Sequence, residues 1–139
     1  MKTLIFDQSE RVAQWVESKA PNRLVTGNDF GIGVEDNGEL IGGVVFNEYN
    51  GRSITLHVAG LEQRWLSRDL LFSMFDYPFN YMKCERITAA IWGSNAKSLK
   101  FAHKLGFTME GVIRQFNPDG SDLVIFGMLK DECRYLKEC

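Results

Sequence analysis

The side chains best suited to acid–base chemistry in this sequence are its 2 histidines, His57 and His103. Imidazole is the side chain whose ordinary pKa, about 6.5, places its charge change near neutral pH. His57 falls in a run where Ile54, Leu56 and Val58 alternate with other residues, so it occupies the opposite face of a predicted strand. That position suits a general base, although a packing histidine fits it equally. His103 falls in a predicted helix and is interpreted as a solvated residue.

Two arginines, Arg64 and Arg68, flank the predicted start of another helix. Ser67 is suited to cap that helix, and Asp69 would lie in its first turn. Positive charge at a helix N-terminus is unfavourable unless an anion is nearby, because the helix dipole is positive there. The arrangement therefore indicates either an anion site or ordinary solvated arginines.

A third group of polar residues lies around the predicted helix 96–105. Asn95 is suited to cap its N-terminus, and Gly106 is suited to end it. These structural roles explain both residues without a ligand. Ser98 lies one turn into the helix and can be an exposed serine.

The hydrophobic pattern predicts the scaffold that must position these residues. In chain order it predicts a helix over 8–19, strands over 30–35, 40–46 and 53–59, a helix over 67–83, a strand over 86–92, a helix over 96–105, strands over 107–115 and 123–129, and a short helix from residue 131. Asn37-Gly38 predicts a hairpin turn, Asn50-Gly51 a second connection, and Pro78 should kink or end its helix. The aromatic residues interpreted as core are Phe72, Phe75, Trp92, Phe101 and Phe107. A meander followed by a strand–helix–strand unit predicts a mixed sheet with helices against it.

Composition limits the function classes. The chain has 139 residues, 45% of them hydrophobic, which predicts a single domain over 1–139. A net charge of -2 and a pI of about 5.7 argue against a nucleic-acid-binding domain and a polybasic membrane anchor. The N-terminus does not resemble a signal peptide, and no run approaches the ~18 uncharged residues of a membrane helix, so we expect a cytoplasmic protein. The 3 irregularly spaced cysteines predict free thiols, and no metal site is expected.

Residues 95–107, Asn-Ala-Lys-Ser-Leu-Lys-Phe-Ala-His-Lys-Leu-Gly-Phe, resemble the last cofactor-binding motif of the Gcn5-related N-acetyltransferases (GNAT family). The following Glu110-Gly111 and Arg114 resemble the Glu-Gly-x-x-Arg strand of the ribosomal-protein acetyltransferase branch. Residues 64–68, 75–80 and 127–133 resemble short acetyltransferases of tailed bacteriophages. The resemblance implies an α+β fold with a mixed, mostly antiparallel sheet of six to seven strands, a strand–helix–strand crossover and helices on both faces.

In this family acetyl-CoA lies in a split between the fourth and fifth strands, here 53–59 and 86–92, and its pyrophosphate meets the start of the helix after the fourth strand. The resemblance thus implies an acetyl-CoA-dependent N-acetyltransferase, with Asn95 bonding to pantetheine and Ser98 handing a proton to the departing thiolate. The implied cofactor-binding residues are Val58, Arg64, Trp65, Leu66, Ser67, Arg68, Asn95 and Ser98. The candidate catalytic residues are Ser98 and His57, the latter as base on the acceptor amine.

The sequence departs from the family in two places. The loop 62–69 lacks the glycines that let backbone approach phosphate closely. Ala102 stands where many members have a tyrosine, so Ser98 or water must supply the proton. Both departures favour an alternative function, in which an acetyltransferase-like protein with weak or no catalysis binds a partner such as a host protein. Glu62 and Glu110 are weaker candidates for the base.

The sequence does not identify the amine that accepts the acetyl group. A protein N-terminus, a lysine, a polyamine and an antibiotic amine are all compatible with the sequence. Side chains of the first helix and of residues 22–29 would shape the acceptor site, but these segments carry no motif that identifies an acceptor. No nucleic-acid or membrane partner is expected, and a homodimer is left open.

Overall fold

The computed structural model describes residues 1–19, 29–61 and 64–136. Its elements are β1 (Lys2–Ile5), α1 (Ser9–Lys19), β2 (Phe30–Asp36), β3 (Glu39–Asn47), β4 (Ser53–Gly60), α2 (Arg68–Asp76), a π-helical turn (Tyr77–Tyr81), β5 (Arg86–Trp92), α3 (Ala96–Leu105), β6 (Thr108–Ile113), β7 (Leu123–Leu129) and a 3-10 turn (Lys130–Glu132). The predicted helices and strands are confirmed within a few residues at their ends, with two exceptions. The long helix is interrupted, and the short helix predicted from residue 131 is only a 3-10 turn over Lys130–Glu132 among the described residues. β1 was not predicted.

The strands form one seven-stranded sheet in the order β1-β2-β3-β4-β5-β7-β6. Every neighbouring pair is antiparallel except β4 and β5, which are parallel. This arrangement confirms the predicted α+β fold with a mixed, mostly antiparallel sheet. Among the described residues, no helix is long and apolar enough to cross a membrane.

Helices cover both faces of the sheet, as expected. On one face, called the α1 face, Val12 and Val16 pack with Val45 of β3. On the other, called the α3 face, residues of α2 and α3 form the larger core with Ile54 and Leu56 of β4. Because α1 lies over β2 and β3, the α1 face of β5, β7 and β6 is not covered by a described helix.

The turn between β2 and β3 forms as its sequence predicts. Asn37 and Gly38 both adopt positive φ, 54° and 87°, as a type I′ turn requires. The connection from β3 to β4 is longer than a two-residue turn, and only Gly51 of its Asn-Gly pair has positive φ, 95°. The Asn50 Oδ1 atom there accepts hydrogen bonds from the N–H groups of Arg52 and Ser53, at 2.9 and 2.8 Å.

Helix α2 begins at the predicted cap, since the Ser67 hydroxyl accepts a hydrogen bond from the Leu70 N–H at 3.1 Å. It ends at Asp76, and the chain continues as a π-helical turn that contains Pro78. Proline has no N–H to donate and clashes with the preceding turn, which explains the change. The assignment of Phe72 to the core is wrong, because its side chain faces outward and is 48% exposed. The assignment of Trp92 to the core is wrong as well, because it is only partly buried and belongs to neither buried cluster.

Candidate active site

Strands β4 and β5 part within the sheet. They pair only at their first residues, where Thr55 and Thr88 form the last matched positions. Beyond that point β4 stays paired with β3 as far as Gly60, and β5 stays paired with β7 as far as Trp92. The strand edges that face each other across the gap therefore carry backbone groups that no strand pairing satisfies. This is the split that the resemblance implied.

The split opens into a cleft that reaches both faces of the sheet. Its walls on the α3 face include Phe101 and Ala102 of α3, and its walls on the α1 face include Val16 and His57. Val58, Trp92, Asn95 and Ser98 also line it. A ligand lying among the α3-face residues can therefore be reached by a second molecule from the α1 face.

His57 projects from β4 on the α1 face, where its strand partner is Val45. Its Nε2 lies 2.9 Å from Oδ1 of Asn47, a polar residue only 5% exposed. An amide oxygen can only accept, so Nε2 carries the proton of the neutral ring and Nδ1 keeps a lone pair. Burial lowers the pKa of His57 to about 4, opposed by the negative charge of Asp29. The imidazole is thus neutral at pH 7 and able to accept a proton, but it is a weaker base than a solvated histidine.

This shift predicts a pH dependence of stability. Between pH 6.5 and 4 the unfolded chain protonates His57 and the folded chain does not. The stability tied to the neutral ring is therefore complete above about pH 6.5 and is lost as the pH falls towards 4. One pKa unit corresponds to about 1.4 kcal/mol, so the loss is at most about 3 kcal/mol. Between pH 6.5 and 4, urea unfolding should show a smaller fall in the free energy of unfolding for His57→Gln than for the parent. Equal falls in the two proteins would contradict the lowered pKa of His57.

Helix α3 presents Asn95 and Ser98 to the cleft. The Asn95 Oδ1 atom accepts a hydrogen bond from the Ser98 N–H at 3.2 Å, which confirms the predicted cap. Its Nδ2 group is a donor that capping does not use. Gly106 ends the helix with φ 107°, a left-handed conformation that favours glycine. Ala102 is buried in the cleft wall one turn beyond Ser98, so this turn of helix supplies no phenol.

The residues before α2 divide into different roles. Trp65 is 7% exposed, and its ring packs over the backbone of Gly60 and against Phe101, with ring centroids 5.8 Å apart. Its side chain belongs to the core, so only its backbone can meet a cofactor. Arg64 forms an ion pair with Asp36 at 3.1 Å, on the turn between β2 and β3.

Three other residues named for the cofactor lie at the start of α2. Leu66 packs partly against the core, Ser67 caps the helix, and Arg68 is exposed in the first turn. A shallow groove beside them is also lined by Phe72 and Tyr135. The N–H groups of a first helical turn have no intrahelical partner, so this end can accept an anion.

Glu110 is occupied by an ion pair. Its two carboxylate oxygens lie 2.7 and 3.0 Å from the guanidinium of Arg86. These hydrogen bonds lower the pKa of Glu110, so it is a poor base. Glu62, the other weak candidate, lies outside the described residues. Within the described part of the chain, no group of three or more His, Cys, Asp or Glu side chains could hold a metal ion.

Two contributions to the site were missed in the sequence. The first is Asn47, whose side chain orients His57. The sequence feature that could have indicated it is a polar residue directly after the apolar strand 40–46. The turn between β6 and β7 also contacts the loop before α3, through Ser94 and Asp119 at 2.6 Å. Nothing in the local pattern marks that contact, because the two residues are 25 positions apart.

Comparison with known proteins agrees with this geometry. The sequence model described as "Acetyltransferase (GNAT) domain" matches residues 3–122. The chain belongs to the GNAT family. An uncharacterized N-acetyltransferase, p20, from Bacillus licheniformis is 29% identical over an alignment of 114 residues, which covers 76% of this chain and 64% of that protein. The chain therefore spans under two thirds of that relative's length.

Solved GNAT structures share the fold. A crystal structure of spermidine N-acetyltransferase from Vibrio cholerae in complex with CoA and spermine superposes with a TM-score of 0.74, at 18% identity and 98% coverage of both chains. A mutant form of the spermidine/spermine N-acetyltransferase SpeG from the same organism gives a TM-score of 0.73 at 20% identity, again with 98% coverage of both chains. At these identities the likeness concerns the fold.

Proposed function

We propose that this GNAT chain is an N-acetyltransferase that moves an acetyl group from acetyl-CoA to an amine. The observation that carries the proposal is the cleft between β4 and β5, which crosses the sheet and joins the two faces. The unpaired edge of β4 after Thr55 can bond to the amides of a pantetheine arm, as a further strand would. Membership of the family supports acetyl-CoA as the donor.

In this proposal Val58 contacts the arm and Asn95 donates a hydrogen bond to it. The pyrophosphate lies at the start of α2, near Leu66, Ser67 and Arg68. Trp65 contributes through its backbone. Arg64 would need to leave Asp36 to reach the phosphates, so we assign the larger share of the charge contact to Arg68.

The chemical step begins with an acceptor amine that approaches from the α1 face. The amine must first lose a proton, because a primary amine such as lysine is mostly protonated at pH 7. His57 accepts that proton at Nδ1, directly or through one water. The nitrogen then attacks the thioester carbonyl, the carbon–sulfur bond breaks, and the nitrogen releases its second proton to water as the amide forms. The departing thiolate takes a proton either directly from water or from Ser98, whose hydroxyl then regains a proton from water.

The acceptor's remaining atoms can lie on the α1 face of β5 and β7. Trp92, Leu123 and Ile125 point there and belong to neither buried cluster. A polyamine is one candidate, because the Vibrio cholerae enzyme was solved with spermine. A lysine, a protein N-terminus and an antibiotic amine are equally compatible with this surface. A turnover assay with one compound of each class would separate them.

The branch of the family to which the chain belongs, and the partners it binds, are also part of this proposal. Kinship with the ribosomal-protein acetyltransferases and with the phage enzymes is supported by the motif residues of the sequence. A host-protein partner is part of the alternative function, in which binding replaces catalysis. A homodimer is compatible with either function. The glycine-free loop before α2 and the buried Ala102 are the features that favour that alternative.

Thermal unfolding with added acetyl-CoA tests the proposal. A ligand that binds only the folded state raises Tm, and at a hundredfold excess over Kd it adds about 2.7 kcal/mol. We expect a clear rise at millimolar acetyl-CoA and none with acetate. A folded protein whose Tm does not move would favour the partner-binding alternative.

The arginines provide a sharper test of the pyrophosphate site. We expect Arg68→Ala to weaken CoA binding more than Arg64→Ala, because Arg64 is already paired with Asp36. A contact to a charged group contributes roughly 1.5–3 kcal/mol, reduced here by solvent and salt. Titration calorimetry should therefore show about a tenfold rise in Kd for Arg68→Ala. Pantetheine lacks the pyrophosphate and should bind both variants like the parent; equal CoA affinity in all three proteins would place the phosphates elsewhere.

A further inference from the structure

The turn between β6 and β7 is locked onto the loop that precedes α3. The Gly93 N–H donates to the Asp122 carbonyl at 2.7 Å, and the Ser94 hydroxyl donates to Oδ2 of Asp119 at 2.6 Å. A Cβ at Gly93 would lie 3.1 Å from the same carbonyl oxygen. The two loops therefore approach each other closely, through a backbone bond and a side-chain bond.

The turn itself is held in one shape. Oδ1 of Asp119 accepts hydrogen bonds from both the N–H and the hydroxyl of Ser121. The buried Asn117 donates through Nδ2 to the Asp122 carbonyl at 2.8 Å and to the Ser121 hydroxyl oxygen at 3.1 Å. The bonds from Ser121 and from Ser94 lower the pKa of Asp119, so its carboxylate stays ionised at neutral pH. The oxygen that meets Ser94 is thus fixed before any ligand binds.

Ser94 is next to Asn95, the residue that caps α3 and lines the cleft. The Asn95 N–H donates to the carbonyl of Trp92 at 2.9 Å, so residues 92–95 form a tight corner between β5 and α3. Gly93 has wide backbone freedom because it lacks a Cβ, and the ladder between β5 and β7 ends at Trp92, before Ser94. The position of Asn95 therefore depends on what holds this corner.

We propose that Asp119 is a positioning residue for the donor site: through Ser94 it fixes the corner that places Asn95 against the pantetheine arm. The proposal rests on the proposed function, in which Asn95 bonds to that arm. Asp119 does not touch the donor, and it acts by limiting the freedom of a group that does. Displacement of a binding group by about 1 Å is enough to lose most of a well-oriented contact.

The test uses Ser94→Ala, Asp119→Ala and the double variant in the full chain. Each single change should raise the Kd for CoA about tenfold, and the double variant should do no more than Asp119→Ala alone. Both single changes remove the bond between Ser94 and Asp119, and Asp119→Ala also removes the two bonds that Asp119 accepts from Ser121. KM for acetyl-CoA should follow Kd, while KM for the acceptor and kcat at saturation stay near the parent values. Ser94→Thr keeps the hydroxyl and should restore affinity. Pantetheine should show the same loss, since the affected group faces that part of the donor.

Asp122→Asn is the matched control from the same turn. The Asp122 Oδ1 atom accepts a hydrogen bond from the Gln115 N–H at 2.8 Å, and an amide oxygen preserves that bond without altering the one to Ser94. This variant should bind CoA like the parent. Parent-like affinity in Ser94→Ala and Asp119→Ala would overturn the inference while the proposed function stands. So would additive losses, or losses that track Tm in every variant. A parent protein that fails to bind CoA would overturn both.

Discussion

We expect His57→Ala to lower kcat at least tenfold while leaving the Kd for acetyl-CoA close to that of the parent. Positioned acid–base groups typically contribute about 10²–10⁴-fold in rate. His57 lines the cleft on the α1 face, across the sheet from Phe101 and Ala102 of α3. Loss of its ring should therefore remove proton transfer from the acceptor and disturb the donor little. Single-turnover rates and CoA calorimetry measure the two effects separately.

Two further variants test whether a loss of kcat in His57→Ala comes from lost proton transfer. His57→Gln keeps a hydrogen-bonding end that can still meet Asn47, yet glutamine cannot accept a proton at neutral pH, so the rate should stay low. His103→Ala is the matched control, since His103 is exposed on α3 and outside the cleft lining. Near-normal turnover in both His57 variants, or a parallel loss of activity and Tm, would make His57 a packing residue.

The pKa of His57 gives this prediction a second measurement. With a pKa of about 4, the acid limb that belongs to His57 should lie near pH 4, far below the value for a solvated histidine. Titration of the ring by NMR reads that value without interference from the acceptor amine. Asn47→Asp would place a negative charge next to Nε2 of His57. Because a nearby negative charge favours the protonated ring, this variant should raise the pKa of His57.

The parts of the fold that could be predicted are those with local causes. Asn37-Gly38 forms its turn because both residues tolerate positive φ. Ser67, Asn95 and Gly106 mark helix ends through hydrogen bonds that span three or four residues. The split between β4 and β5 followed from the family resemblance, whose motif lies around Asn95.

What could not be predicted depends on distant partners. The short run of β1 becomes a strand only because β2 offers an edge beside it, where Leu4 pairs with Val34. Phe72 lies in an apolar helix, yet the fold leaves its side chain 48% exposed beside a groove that Tyr135 also lines. The ion pair of Arg86 with Glu110 joins residues 24 positions apart, so the sequence could not reveal that Glu110 is unsuitable as a base.

The same distinction applies to the candidate site. The strand pattern correctly placed His57 opposite Ile54 and Leu56, whereas its lowered pKa depends on burial against other elements. Arg64 and Trp65 were assigned to the cofactor from their position before α2. The side chain of Arg64 pairs with Asp36, and that of Trp65 packs over Gly42 and Gly60, partners that are distant in the sequence or hidden from its local pattern.

Trp65 leads to the prediction with the largest effect on stability. We expect Gly60→Ala to destabilise the fold by roughly 1–3 kcal/mol or more, as overpacking of a core does. A Cβ at Gly60 would lie 2.1 Å from the Trp65 ring atoms Cε2 and Nε1. The ring has little room to withdraw, because it is only 7% exposed and also packs against Phe101, with ring centroids 5.8 Å apart. Urea unfolding of Gly60→Ala measures the cost.

Two glycines provide matched controls for that measurement. A Cβ at Gly111 meets nothing within 4 Å, so Gly111→Ala should leave stability close to the parent. At Gly127 the nearest atoms are the ends of the Glu110 and Arg86 side chains, which are partly exposed and can rotate away. Gly127→Ala should therefore cost less than Gly60→Ala, even though its closest contact is also short, at 2.4 Å.

Gly60→Ala should also weaken CoA binding, because Trp65 connects the end of β4 to the start of α2. Its ring rests on Gly60, the last residue of β4, and it lies three residues before Arg68, where α2 begins. Displacement of the ring should therefore shift the end of β4 and the start of α2, the two elements between which the donor is proposed to lie. Trp65→Leu should relieve the clash, so the double variant should be more stable than the sum of the single losses predicts. Strict additivity would mean that the added methyl group meets something other than the ring, and that Trp65 does not couple the split to the start of α2.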